Sequence, residues 1–482
     1  MIKHCKILAT VGPASSTVEK LESMIRAGVN LFRLNFSHGT YSEHEVLLQN
    51  IKEAEKRVGY CVGVLQDISG PKVRIGELKE SVKLEIGDIV EFVRDDIIGT
   101  FIKPHRLRLT LNRPQLLDKL CVGDLVYMSD GAIGVRVVSI KESIVTEVIS
   151  GGYLSSHKGV NFPGTRLDID VLTPKDRDDI AWGVEHDVDF MAISFVQKAS
   201  DMTQVKNYVN SLGGKQHLIA KIEKFDAVEN FDEILQKSDG IMVARGDLGI
   251  EIPYYRVPEV QKEIIRKANL ASKPVITATQ MLFSMTKAER ATRAEISDVA
   301  NAVLDGSDCL MLSEETAVGK YPLKAVETMA LTITEAEKIF PHDKFTSLPP
   351  TDESDVVNES VVMLANNITA SAILSLTTSS LSARKLARYR PKKPIYAITY
   401  DIKVSRWLTL SWGVVPAFRT SQNSLQDIFT EVIKDGIDRA ILNMEESYVL
   451  TASYPVGTPG AINLIRVLKK SELSHYFLKA ES

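Results

Sequence analysis

The chain has little of what marks several common classes of protein. Only four cysteines occur in 482 residues, Cys5, Cys61, Cys121 and Cys309. They are too scattered for a disulfide framework or for metal-ligand pairs, so a reducing compartment is expected. No apolar run approaches the roughly 20 residues of a membrane span. The start, Met1-Ile-Lys-His-Cys-Lys-Ile7, lacks the long apolar core of a secretory leader. Neither charge dominates: 58 Lys and Arg face 62 Asp and Glu, a net charge of −4. That balance implies neither nucleic acid nor an anionic membrane as partner. Low-complexity segments and short tandem repeats are missing too. What remains is 44% hydrophobic and 25% charged, the composition of a globular protein with ample core. The length suggests about three domains, and the cytoplasm is the expected location.

The first and middle parts alternate strand-like runs with helical patterns. Strands are expected at 6–12, 29–36, 62–68, 188–195, 218–223, 241–247, 274–280 and 309–313. Ser16 and Glu19 have capping-box spacing ahead of Leu21, Met24 and Ile25, and that helix stops at Gly28. Thr173-Pro174 reads as a helix cap and first helical residue. Thr292 and Glu295 cap a helix with an apolar stripe of Ile296, Val299, Ala300, Val303 and Leu304. About eight strand–helix units result, the number that closes a parallel (β/α)8 barrel. An open doubly wound sheet is the alternative, but its Gly-rich nucleotide turn is absent.

Residues 70–164 break the alternation. Short β-branched runs are punctuated by turns such as Val122-Gly-Asp and Ser129-Asp-Gly, which predicts a small all-β domain. Inserted after the third strand of a barrel, it would sit over the mouth as a lid. The barrel is therefore assigned to 1–69 and 165–343. Pro349-Pro-Thr-Asp352 reads as a linker, and 344–482 as a separate α/β domain with strands near 372–376, 395–399, 439–442 and 448–452.

The chemistry concentrates at strand ends. Leu218-Ile-Ala-Lys-Ile-Glu223 and Gly240-Ile-Met-Val-Ala-Arg-Gly-Asp-Leu-Gly249 are apolar runs that finish in charges. Glu223 and Asp247 suit a hard divalent cation, which prefers oxygen ligands. Lys221 beside them suits a phosphoryl or enolate oxygen. In a parallel barrel all strand C-termini share one mouth. That mouth would collect Arg33, Asn35, Ser37, His38, Asp67, Lys72 and Arg74 along with Lys221, Glu223, Arg245 and Asp247. It would add Thr277, Thr279, Gln280, Ser313, Glu314 and Glu315. No Cys–His or Ser–His nucleophile pair is among them. The set argues for charge stabilisation and metal chemistry on an anionic substrate, as phosphoryl transfer needs. The glycines of Arg245-Gly-Asp-Leu-Gly249 would let backbone amides approach an anion.

In this order the motifs resemble those of the pyruvate kinase family. The matching stretches are residues 7–15, Arg33-Leu-Asn-Phe-Ser-His-Gly39, Asp67 with Gly70-Pro-Lys-Val-Arg74, and Lys158-Gly-Val-Asn161. They continue with Ala220-Lys-Ile-Glu223, residues 242–253, Ala278-Thr-Gln-Met281, Thr292-Arg-Ala-Glu295, residues 298–306 and Met311-Leu-Ser-Glu-Glu-Thr316. The likeness is strongest in the barrel, weaker in the insertion and weakest after Lys344. It implies phosphoryl transfer from phosphoenolpyruvate to ADP, followed by protonation of enolpyruvate. It implies Mg2+ or Mn2+ held by Glu223 and Asp247, and Arg33 and Lys221 neutralising the phosphoryl group. Ala244, Arg245, Gly246, Asp247 and Thr279 would hold the substrate. Either Lys221 or Thr279 would support protonation. Arg74, Lys175, His38 and Asn35 would lie on the nucleotide side. A homotetramer is implied as well.

Two departures stand out. Many family members carry Asp-Thr-Lys-Gly-Pro-Glu and need potassium, whereas this chain has Asp67-Ile-Ser-Gly-Pro-Lys72. Asn35, Ser37, Asp67 and Ile68 match the potassium pocket, and Ile68 would contribute only its carbonyl. The Lys72 ammonium could supply the positive charge instead, so potassium is expected to be dispensable. Glu314 stands where a small residue is usual. In the last domain, Leu376-Thr-Thr-Ser-Ser-Leu-Ser-Ala-Arg384 aligns with the family's sugar-phosphate effector loop. Thr377, Ser379, Ser380 and Ser382 are its candidate ligands, with a sugar monophosphate, a nucleotide or no activator left open. Simple N-capping is the plainer reading.

Two rival readings fit parts of the chain. Another metal-dependent barrel, an aldolase or lyase, would share Glu223 and Asp247 but leave the inserted β-domain, Arg74 and Lys175 unexplained. A non-catalytic metabolite sensor would be expected to lack Lys221, Glu223, Asp247 or Thr279, and all four are present.

Overall fold

The computed structural model describes residues 3–167, 169–346, 348–422, 424–456 and 462–481. Eight parallel strands close into a barrel in the order Lys6–Thr10, Leu31–Asn35, Gly63–Ile68, Phe190–Ile193, His217–Ile222, Gly240–Ala244, Val275–Ala278 and Cys309–Leu312. The last pairs back onto the first, with Lys6 opposite Cys309. These strands are nearly all apolar because both faces are covered: Leu8, Leu31, Leu65, Ile219, Met242 and Ile276 fill the interior. Helices shield the outside, with Leu21, Met24 and Ile25 buried on Val18–Ala27. The cap of that helix is Thr17, whose hydroxyl accepts the Lys20 N–H, and not the Ser16–Glu19 pair. Thr173 and Thr292 do cap their helices, each in a reciprocal box with Asp176 or Glu295.

Several expected strand ends shift, the first to Thr10. The sixth strand stops at Ala244, and Arg245–Glu251 is a short helix. Asp247 therefore stands in a first helical turn and not at a strand end. The seventh strand stops at Ala278, and the next two residues, Thr279 and Gln280, take φ of 69° and 55°. The fourth stops at Ile193, two residues before Phe195 at φ 61°.

Between the third and fourth barrel strands lie a seven-stranded and a two-stranded sheet, built from strands within 82–161. They enclose their own apolar core around Phe92, Leu107, Leu109, Val126, Val135 and Ile144.

The C-terminal sheet has five strands, in the order Val414–Arg419, Ile395–Thr399, Ala372–Leu376, Tyr448–Ala452 and Leu464–Leu468. The strand expected at 439–442 is not there. Arg439 instead caps the helix Leu425–Asp438, and Leu442 packs against Gly436 of that helix. Two edge strands take up the sheet. Val414–Arg419 hides its nature behind Pro416, which sits on the outer edge where the register shifts.

The floor of the barrel, opposite the mouth, is pressed against this last domain. The Lys6 ammonium donates to the Val414 carbonyl at 2.7 Å. Arg390, 1% exposed, reaches Asp308 at 2.9 and 3.0 Å. Arg406 pairs with Glu55 at 2.8 Å, and the His217 and Trp407 rings lie 4.1 Å apart. At Gly63 a Cβ would come within 2.6 Å of the Thr409 hydroxyl, so the close approach there requires glycine.

Candidate active site

Lys221 is the centre of the mouth. Its ammonium lies 3.1 Å from Asp67, 2.8 Å from Glu223 and 2.7 Å from the Ser194 hydroxyl. Asp67 is held on its other oxygen by Arg33 at 2.6 Å, and Arg33 also donates to Thr10 at 3.0 Å. Burial works to lower the Lys221 pKa, but the Asp67 and Glu223 carboxylates outweigh it and hold the group above its ordinary value. For Asp67 burial pushes upward, and Lys221 with Arg33 brings the carboxyl below its usual range. Glu223 goes the other way. Burial and the nearby Asp247 charge raise it, against the pull of Lys221.

The donor set suits a divalent cation. Two carboxylates whose charges repel, one of them buried, gain from a cation between them. Both are hard oxygen donors, and waters and substrate oxygens can complete a magnesium-like shell. Among the described residues no cluster of three or more His, Cys, Asp or Glu could hold a metal on its own.

Beside this cluster, the Gly246 amide donates to the Thr279 hydroxyl at 2.8 Å, and that hydroxyl donates to Ala278 O at 2.7 Å. A β-branched residue at φ 69° is costly, about 1–3 kcal/mol. Arg245 holds it there. Its guanidinium donates to Ala278 O, to Thr279 O at 2.8 Å and to Asp298 at 2.7 Å. Arg245, a substrate-binding candidate from the sequence, has its guanidinium engaged by the Thr279 turn and by Asp298.

The other candidates fall in three places. Asn35 accepts the Ser37 N–H at 3.2 Å, and His38 is exposed next to them. The Ile68 carbonyl accepts the Ser194 hydroxyl at 2.7 Å. The Lys72 ammonium makes no hydrogen bond or ion pair among the described residues, yet its charge acts on Glu223. Lys175 reaches the Phe36 carbonyl at 3.0 Å and Asp179 at 2.6 Å, next to the His38 loop. Arg74 stands on the inserted domain, donating to His157 O at 3.0 Å. Thr377, Ser379, Ser380 and Ser382 lie apart, in the C-terminal domain. There Ser380 precedes the helix Leu381–Arg388 at φ 70° without capping it through its side chain. Glu314 is exposed, and nothing in the structure explains the departure.

Sequence reasoning missed Ser194, Phe195 and Thr10. The Phe195 N–H donates to Glu223 at 3.0 Å. The signal was available: Ser194 ends the fourth strand, whose C-terminus belongs to the same mouth.

A barrel that gathers cations and carboxylates at one mouth, with an inserted β-domain after its third strand, defines a phosphotransferase. The chain belongs to the pyruvate kinase family. The family's barrel-domain model matches residues 2–326, and its alpha/beta-domain model matches residues 355–468. A pyruvate kinase of Geobacillus stearothermophilus is 40% identical over 98% of this chain and 81% of its own length. One of Bacillus licheniformis is 41% identical over 97% of this chain and 80% of its own. The crystal structure of a pyruvate kinase from Cryptosporidium parvum superposes with a TM-score of 0.89 at 33% identity, covering 97% of this chain and 96% of that one. The family generally uses a divalent metal.

Proposed function

We propose that the chain transfers the phosphoryl group of phosphoenolpyruvate to ADP and then protonates enolpyruvate. The observation that carries this reading is the Lys221 ammonium, braced by Asp67, Glu223 and Ser194, with the Thr279–Gly246 turn at the ends of the next two barrel strands. Glu223 and Asp247 would hold Mg2+ or Mn2+, which supplies charge neutralisation when bound. Arg33 and Lys221 face the phosphoryl group and offset its charge in flight. The Ala244 and Gly246 amides, with Thr279, hold the carboxylate, which takes the Gly246 N–H now given to the Thr279 hydroxyl. Lys221 or Thr279, directly or through water, supports protonation. Arg74 on the lid and Lys175 on the barrel approach the nucleotide phosphates from two sides, with His38 and Asn35 beside them. Residues 70–164 act as the lid, 1–69 with 165–343 as the catalytic barrel.

Potassium is dispensable in this reading. Lys72 carries an uncommitted ammonium whose charge reaches Glu223, and we assign to it the positive charge that the Asn35, Ser37, Asp67 and Ile68 pocket would take from potassium. In the C-terminal domain, the Thr377 and Ser380 hydroxyls are buried without partners. Unpaired buried hydroxyls are costly, and a phosphate of a sugar monophosphate or nucleotide would satisfy them together with Ser379 and Ser382. No helix among the described residues is long and apolar enough to cross a membrane, and we place the enzyme in the cytoplasm as a homotetramer. The test is pyruvate formation from phosphoenolpyruvate and ADP with magnesium, with and without potassium. ADP-dependent turnover in both supports the reading. Turnover only with potassium removes the role of Lys72, and none in either removes the function.

A further inference from the structure

A second concentration of positive charge lies where the barrel floor meets the C-terminal domain. Lys273, Arg384, Arg388 and Arg390 line one small cavity there, together with Asp308 and Ser411. About 10 Å3 of it is open to the centre of a water-sized sphere, room for one small occupant.

Three of the four cations have assigned partners. Arg390 is paired with Asp308, which also accepts the Val275 and Trp412 amides at 3.1 and 3.0 Å. Asp308 has no capacity left for a second guanidinium. Arg388 is paired with Asp355 at 2.6 Å. Lys273 donates to the Leu235 and Gln236 carbonyls, which take up two of its protons but not its charge. The Arg384 guanidinium makes no hydrogen bond or ion pair among the described residues. The carboxylate that most opposes its charge, Asp239, is engaged by Lys206 and by the Leu218 amide.

The spare hydrogen-bonding groups match this imbalance. The Nε atoms of Arg384, Arg388 and Arg390 and the Ser411 hydroxyl are all buried without a partner. Guanidinium N–H groups only donate. A water here would accept two of them and leave its own protons facing a positive wall. A monatomic anion accepts from every direction and brings the missing charge. A polyatomic anion such as phosphate is too large for the space.

We propose that this cavity is an anion seat, holding one chloride-sized monovalent anion that fastens Arg384 to the barrel floor. The helix that carries Arg384 and Arg388 begins at Leu381, directly after Ser380. An occupied seat therefore ties the start of that helix to the base of the catalytic barrel.

Two measurements test it on the full chain. Crystals soaked in sodium bromide should show an anomalous peak in the cavity, within hydrogen-bonding distance of Arg384. Thermal midpoints should be compared in chloride and in gluconate at equal ionic strength, for the wild type and for Arg384→Met. A rise of a few degrees in chloride is expected for the wild type, because a ligand bound only by the folded state stabilises it. Arg384→Met should lose that rise. Absence of a bromide peak overturns the proposal, and so does a chloride response that survives in Arg384→Met. If Arg384→Met fails to fold, the bromide map and the wild-type chloride response decide.

Discussion

Arg390→Met should cut the barrel's strongest tie to the C-terminal domain while leaving the mouth untouched. The guanidinium makes two hydrogen bonds to Asp308 and donates to Asn269, Gly306 O and Ala387 O, all in buried surroundings. It also lies 5.0 Å from the centre of the Trp412 ring. Breaking a buried ion pair from one side costs about 3–5 kcal/mol. Losing the ring contact adds about 1 kcal/mol. Two features work against the full sum: methionine keeps the apolar stem, and Asp308 retains the Val275 and Trp412 amides. The expected loss is about 4 kcal/mol. Urea unfolding followed by tryptophan fluorescence reads it, since Trp412 is buried in this interface. Asp308→Asn and the double variant complete a cycle, whose coupling should exceed about 1 kcal/mol. A loss below 1 kcal/mol, or strict additivity, would refute the view that this pair holds the domains together. Turnover under native conditions should change little, because Asp308 precedes its strand on the side away from the mouth.

Further outcomes can be checked directly. Lys72→Glu should make turnover depend on potassium, read as the ratio of rates with and without it. Thr279→Gly should lower kcat by about 100-fold or more through loss of a hydroxyl at the carboxylate site, yet raise stability by about 1 kcal/mol by relieving the positive φ. Asp189 is buried, and that burial pushes its pKa up to about 7. The folded state then binds the extra proton between the ordinary carboxyl range and pH 7, so stability falls as pH rises through that window. Asp189→Asn should flatten the slope, removing at most about 3 kcal/mol of the change between pH 5 and 7, in denaturation measured from pH 5 to 8. Removal of divalent metal with a chelator should abolish turnover, with recovery on adding Mg2+ or Mn2+.

Much of the fold was legible because buried parallel strands are near-continuous apolar runs. The transition from Ile222 to Glu223 or from Ala244 to Arg245 is abrupt in one dimension. The mouth followed from the same rule, since every such break faces one way. What escaped depended on packing between distant segments. Val414–Arg419 contains a proline that is tolerated only because the strand lies at an edge. The run ending in Leu442 looked strand-like, and its partner Gly436 lies six residues earlier in a helix. Arg245 has the charge of a ligand-binding residue, and its contacts with the Thr279 turn and Asp298 have no signature in the sequence. The floor pairs, Lys6 with Val414 and Arg390 with Asp308, have no local signature at all.

Closure of the barrel also sets a timetable. Thr10 donates to the carbonyl of Leu312, 302 residues later. At roughly 5–20 residues per second, the first strand waits about 15–60 s during synthesis for its second neighbour. The inserted β-domain, with its own apolar core, emerges inside that interval and lengthens it. Throughout, one edge of Lys6–Thr10 presents unpaired backbone groups, the template on which strands of other chains pair. Such a non-local closure makes for slow folding, and the nascent chain is most exposed to aggregation before residue 312 appears.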